Sequence, residues 1–199
     1  MQDTQRIWIR RDTHGCSFGV ALLARRLARQ EAHALITLKD LPEIPRLQSW
    51  DGYYLDRSYI QGHMMQEARP FDNVAYFRHA RRLLQRIHSK GVVHNDLAKE
   101  GNWLVSTSDM PALIDFQLAL QGPPRARWLR LLAREDIRHL LKHKRTYCPK
   151  ALTPVERRLL ARPSWIRHLW FCTGKPLYRW ITRRVLGWQD NEGKGMKPE

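Results

Sequence analysis

Two short apolar runs, each broken by an aspartate, constrain this chain more than any other feature. VVHNDLAKEGNWLV at residues 92 to 105 carries Asp96, and ALIDFQLAL at residues 112 to 120 carries Asp115. A carboxylate set into a buried strand is costly unless donors or a cation meet it. Taken singly, an aspartate at a strand end is most simply a turn or cap residue. Here the two stand close to His94, Lys99 and Asn102. The turn-like STSDMP (106 to 111) between the runs allows a tight hairpin to fold Asn102 back toward Asp115.

Such a set suits phosphoryl transfer. That chemistry asks for a carboxylate near the attacking hydroxyl, oxygen ligands for Mg²⁺, and positive charge for the moving phosphate. Asp96 fits the first role, Asn102 and Asp115 the second, and Lys99 the third.

The flanking sequence alternates element types. RIWIRRD predicts a strand with Ile7 and Ile9 on its half-buried side. The next segment predicts a helix capped by Ser17, with Leu23, Leu27, Leu35 and Leu38 on one stripe. Glu31 falls on that stripe, and either meets a cation there or lies at its edge and reaches water. A hairpin is expected to turn at Asp51-Gly52. A second amphipathic helix follows, capped by Asp72, lined by Val74, Phe77, Leu83, Leu84 and Ile87, and ended by Lys90-Gly91. Beyond residue 125 the sequence predicts a basic helix, then a helix opened by a Thr153/Glu156 capping box with Pro154 at its first position.

With these elements in this order, the chain resembles the protein-kinase-like superfamily, whose catalytic loop reads H-R-D-L-x-x-x-N and whose metal motif reads D-F-G. The counterparts are His94-Asn95-Asp96-Leu97 through Asn102, and Asp115-Phe116-Gln117. The missing glycine makes the chain similar to atypical bacterial branches: RIO-like kinases, lipopolysaccharide core (Kdo and heptose) kinases, and aminoglycoside or choline phosphotransferases. The resemblance implies an α+β, two-lobed fold with a shortened N-lobe and a mostly helical C-lobe. It implies Asp96 as catalytic base with Lys99 beside it, and Asn102 and Asp115 as Mg²⁺ ligands. Glu31 would partner the ATP-holding strand lysine, for which Arg10 and Arg11 are the available cations. His94 and Asp136 would support the loop. The loop holds one residue more than the motif and is expected to bulge at Gly101. The sequence starts near the strand that bears the cation, so a Gly-rich cover for ATP is expected to be missing.

The organisation expected is an N-lobe over 1–62, a C-lobe over 63–150, a basic helical extension over 151–190 and a disordered tail over 191–199. Net charge is +16, and from residue 121 onward there are 19 basic and 6 acidic residues. Such a segment seeks an anionic partner. KPLYRWITRRVLGW, within 175–188, sets tryptophans on one side and arginines on the other, so it is a core-packing helix or one lying against an anionic membrane. No run is long and apolar enough to span a bilayer, and a cytoplasmic protein, peripheral to the membrane at most, is expected. Three cysteines without a CxxC pair are expected to be reduced thiols. His139 and His143 share a helical face, but the lysines around them suggest a solvated basic surface rather than zinc.

The function expected is an ATP- and Mg²⁺-dependent kinase acting on a hydroxyl of an anionic substrate, a lipopolysaccharide-type glycolipid or a protein serine or threonine. The alternatives are a pseudokinase that binds without turnover and, more weakly, an RNA- or ribosome-associated RIO-like protein.

Overall fold

The chain runs through β1 (Trp8–Asp12), α1 (Phe18–Thr37), β2 (Leu47–Trp50), β3 (Tyr54–Ser58), β4 (His63–Met64), α2 (Met65–Ala68), α3 (Val74–Ser89) and β5 (Val92–Val93). It continues through β6 (Trp103–Val105), β7 (Pro111–Leu113), β8 (Leu120–Gln121), α4 (Arg127–Tyr147) and α5 (Pro154–Ala161). This computed structural model describes residues 7–14 and 18–161, all within one compact unit, Met1–Arg162. Ser17, Cys16, Cys172, the 175–188 segment and the 191–199 tail lie outside the described residues.

The first sheet has the order β1-β3-β2 and is antiparallel throughout. The β2–β3 hairpin turns where predicted: the Asp51 carboxylate accepts the Tyr53 and Tyr54 amides at 2.8 and 2.7 Å, and Gly52 takes a φ of 101°. Register then decides which side chains face inward. Directly opposed residues share a face, so Arg11 opposite Leu55 and Ile9 opposite Arg57 lie on the α1 side, while Arg10 opposite Asp56 lies on the other. The expectation of a half-buried Ile7/Ile9 face is corrected: Ile7 is 62% and Ile9 37% exposed. β1 is an edge strand in this sheet, and its covered inward position goes to Arg11.

α1 joins two packing regions. Past its midpoint it meets the sheet through Ala28 and Ala32 against Leu55. Its last turn enters the main core through Ala34 and Leu35, and Leu38 follows them just past the helix end. Of the predicted leucine stripe, Leu35 and Leu38 are buried and Leu23 is 42% exposed. Alanines, not leucines, make the close contact with the sheet, because short side chains let the backbones approach.

α3 supplies Phe77, Leu83, Leu84 and Ile87 to the core, together with Tyr76 and Ala80. Two details differ from expectation. The cap is Asn73, whose side chain accepts the Tyr76 amide at 2.9 Å; Asp72 sits one residue earlier with a φ of 53°. Val74 is exposed, since the buried stripe starts at Tyr76. Gly91 ends the helix with a φ of 75°, and a Cβ there would meet the Gly122 carbonyl oxygen at 2.3 Å.

β4, β6 and β7 form a second antiparallel sheet, and β5 pairs with β8. The α5 capping box forms as predicted, with the Thr153 amide donating to Glu156 at 2.9 Å and the Glu156 amide donating to Thr153 Oγ1 at 3.3 Å. The basic face expected on α4 is not solvated at His143 and Lys144. Both are buried: His143 Nε2 donates to the Leu97 carbonyl, and Lys144 pairs with Glu156 at 2.8 Å. Among the described residues, Cys148 is a buried free thiol, and no helix is long and apolar enough to cross a membrane.

Candidate active site

The loop from His94 to Asn102 is fixed from α4. One carboxylate, that of Asp136, accepts the His94 amide at 2.9 Å, the Asn95 amide at 3.0 Å and His88 Nε2 at 3.0 Å. Three donors on one buried anion form a rigid node, because charge-assisted hydrogen bonds in a dry site are strong. They hold Asn95 at a φ of 63°, and that turn sends Asp96 out of the core. His94 itself is fully buried, and its Nε2 faces the Ile114 carbonyl at 2.9 Å. A carbonyl accepts only, so Nε2 carries the proton. This bond ties the residue two before Asp96 to the residue just before Asp115.

The two aspartates and Asn102 then converge. The Asn102 amide nitrogen donates to the Asp96 carbonyl at 2.8 Å and to its carboxylate at 3.2 Å. Ile114 N–H donates to the Asn102 carbonyl at 3.1 Å, extending the β6–β7 ladder so that Asp115 emerges beside Asn102. The extra loop residue is absorbed by a 3₁₀ turn over Glu100–Asn102. Gly101, where the bulge is expected, is the middle residue of that turn, but the turn does not require glycine: its φ is not positive, and a Cβ would make ordinary contact with the Gln66 side chain at 3.6 Å. Lys99 Nζ lies 3.0 Å from the Asp96 carboxylate.

Glu31 does not reach water. It is fully buried and meets two arginines: Arg11 at 2.9 Å and Arg57 at 3.3 Å. Burial pushes its carboxyl above the ordinary value, and Arg11 and then Arg57 oppose that push. The other Arg11 nitrogen lies 3.8 Å from Asp115, linking α1 to the metal motif. Arg10 does not join this group. It forms a two-point pair with Asp56 on the opposite sheet face, with both bonds at 2.8 Å.

A sequence profile of the phosphotransferase enzyme family matches residues 14–160, which include Glu31, both loops and Asp136. The chain belongs to this phosphotransferase family. It is 32% identical over 102 residues to serine/threonine-protein kinase D of Synechocystis sp., covering 47% of this chain and 20% of that protein. The Rio2 kinase from Chaetomium thermophilum has a similar structure, with a TM-score of 0.55 at 16% identity over 74% of this chain and 48% of that one. A complex of that kinase with ADP, Mg²⁺ and phosphoaspartate is similar at a TM-score of 0.55 and 15% identity, over 76% and 48%. The chain thus spans about half the length of these kinases and a fifth of the Synechocystis protein. The fold is protein-kinase-like, α+β, as the resemblance implied.

The donor set of this family member suits Mg²⁺. With Nδ2 of Asn102 committed to Asp96, its Oδ1 is left as an acceptor, and Asp115 adds a carboxylate; hard oxygens are what Mg²⁺ takes. Gln117, in the place of the motif's glycine, donates its side-chain amide to Asp115 Oδ1, the same oxygen that Arg11 approaches. Sequence reading overlooked four residues of the site. Arg57 was hidden inside a strand-like run. Gln117 registered only as a missing glycine. His88 belonged to a helix end. His143, which Glu100 also approaches at 3.5 Å, was assigned to the surface. The i, i+4 spacing of His139 and His143 puts both on one helical face, and that face turns inward, with His143 buried and His139 partly so.

Proposed function

We propose that the protein is a kinase that uses ATP and Mg²⁺ to transfer a phosphoryl group to a hydroxyl acceptor. The observation that carries this is the convergence of Asp96, Asn102 and Asp115, fixed by Asp136 on one side and approached by Arg11 on the other. The ADP and Mg²⁺ in the Rio2 complex support the same cofactors.

In this reading Asn102 and Asp115 hold Mg²⁺, which when bound supplies charge neutralisation at the phosphates. Asp96, partly exposed and oriented by Asn102, accepts the proton of the incoming hydroxyl. Lys99 sits where it can neutralise the transferring group, and Arg11 takes the place of the strand lysine while Glu31 orients it. Arginine brings a planar fork rather than a compact ammonium, so phosphate contacts would be bidentate. His94 and Asp136 keep the loop in register. The net charge of +16 supports an anionic acceptor such as a lipopolysaccharide-type glycolipid, and the same chemistry would serve a protein serine or threonine.

Arginine in place of lysine also favours a second reading, a pseudokinase that binds nucleotide without turnover. Thermal-shift titration with ADP and Mg²⁺, compared between wild type and Asp115→Ala, tests the site. ATP turnover with Asp96→Ala as control then separates the readings. Absence of Mg²⁺-dependent binding in the wild type defeats both, and binding without turnover selects the pseudokinase.

A further inference from the structure

Glu31 has one more cation than a single ion pair requires, and its two arginines are placed differently. Arg57 stands on β3, the central strand, hydrogen-bonded on both edges; its side chain is 10% exposed and Glu31 is its acidic partner. Arg11 stands on edge strand β1, is 27% exposed, and reaches a second carboxylate, Asp115. The shorter contact to Glu31 belongs to Arg11, at 2.9 against 3.3 Å. Distance shows which contact is tighter, and setting shows which can be given up.

We propose that Arg57 is the permanent counter-charge of Glu31, and that Arg11 is the exchangeable one, free to turn onto the phosphates of a nucleotide without leaving a bare carboxylate in the core. With one cation, movement toward phosphate would strand Glu31 in an apolar site, and a buried ion stripped of its partner is strongly destabilising. With two, Glu31 keeps Arg57 throughout. A divalent ion at Asp115 favours the exchange, because it repels the Arg11 guanidinium from that carboxylate while the phosphates attract it. Arg57 is therefore a positioning residue that acts through Glu31 and touches no substrate. This deepens the kinase reading and rests on it for the nucleotide.

The test uses Arg57→Met, Arg57→Lys and Arg11→Met, with the methionine variants also made on a Glu31→Gln background. Without ligand, Arg57→Met leaves Glu31 with Arg11 alone and should lower Tm by a few degrees, more than Arg11→Met, because Arg57 is the more buried guanidinium and stands on the central strand; Glu31→Gln should recover part of the Arg57→Met loss. In calorimetric titration with Mg·ADP, Arg57→Met should weaken binding about tenfold, because Arg11 is then held at Glu31. Glu31→Gln should restore it, Arg57→Lys should keep it, and Arg11→Met should weaken it without rescue. The proposal is overturned if Arg11→Met costs as much Tm as Arg57→Met, or if Arg57→Met binds Mg·ADP as tightly as wild type. A wild type that binds no Mg·ADP would defeat the kinase reading instead, and the Tm comparison would still decide which arginine is the permanent partner.

Discussion

The carboxylate of Asp136 accepts the backbone amide of His94 at 2.9 Å across 42 residues of chain. The same group takes the Asn95 amide and the His88 imidazole, so the turn at His94 and Asn95 that leads into Asp96 is held by a single carboxylate of α4. Asp136→Asn preserves size but turns one acceptor into a donor facing an N–H. It should cost on the order of 1–3 kcal/mol in urea unfolding, the penalty for an unpaired buried donor. Asp136→Ala, which strands two amides and the imidazole, should cost more.

Lys99 and Asp96 call for opposite outcomes in stability and turnover. Lys99 is more than half exposed, and exposed ion pairs contribute about 0–1 kcal/mol. Lys99→Met should therefore leave urea unfolding nearly unchanged while lowering phosphoryl transfer at least about tenfold, a loss measurable with saturating ATP. Asp96→Asn should keep Mg·ADP affinity within about twofold and lower turnover by roughly 10²–10⁴.

Acid should weaken the fold through His139. Burial, reinforced by Lys142 and then opposed by Asp136, pushes this imidazole from its ordinary value down to about 4. The unfolded chain protonates it near pH 6.5, so between those values the unfolded state binds the extra proton. The stabilisation is fully present above about pH 6.5 and is lost as pH falls toward about 4, a change on the order of 2–3 kcal/mol. Urea midpoints taken at pH 7 and 4.5 should fall accordingly, and His139→Gln should flatten that slope.

The Lys144–Glu156 pair joins α4 to α5 where both side chains are almost covered. Glu156 also closes the capping box with Thr153 and receives Arg81 at 3.4 Å. Glu156→Ala strands a buried ammonium and opens the cap, and should cost about 3–5 kcal/mol in chemical denaturation. The double variant Lys144→Met/Glu156→Ala should recover a large part of that loss, since no buried charge is then unpaired.

Much of this arrangement is legible in the sequence because its determinants are local. The spacing of Asp96, Asn102 and Asp115 is bridged by one short hairpin, and a turn signal marks it. Asp51-Gly52 and Thr153/Glu156 encode their turn and cap within four residues. What remained hidden depends on register and long-range packing. Arg10 and Arg11 are equivalent as letters, and only the pairing of β1 with β3 assigns one to Asp56 and the other to Glu31. Likewise, no local pattern brings Arg57 to a helix 26 residues earlier, and basic neighbours disguised the buried positions of His143 and Lys144.

Asp115 adopts a left-handed backbone, with φ 66° and ψ 67°, a region that costs an ordinary L-residue on the order of 1 kcal/mol and glycine nothing. At this position selection for a durable protein and selection for a working one pull apart. A library sorted on heat resistance alone should drift there to glycine or asparagine, exchanging the carboxylate proposed to hold Mg²⁺ for a more comfortable turn. Persistence of aspartate under such a sort would show that its side-chain contacts, with Gln117 and Arg11, outweigh the backbone strain.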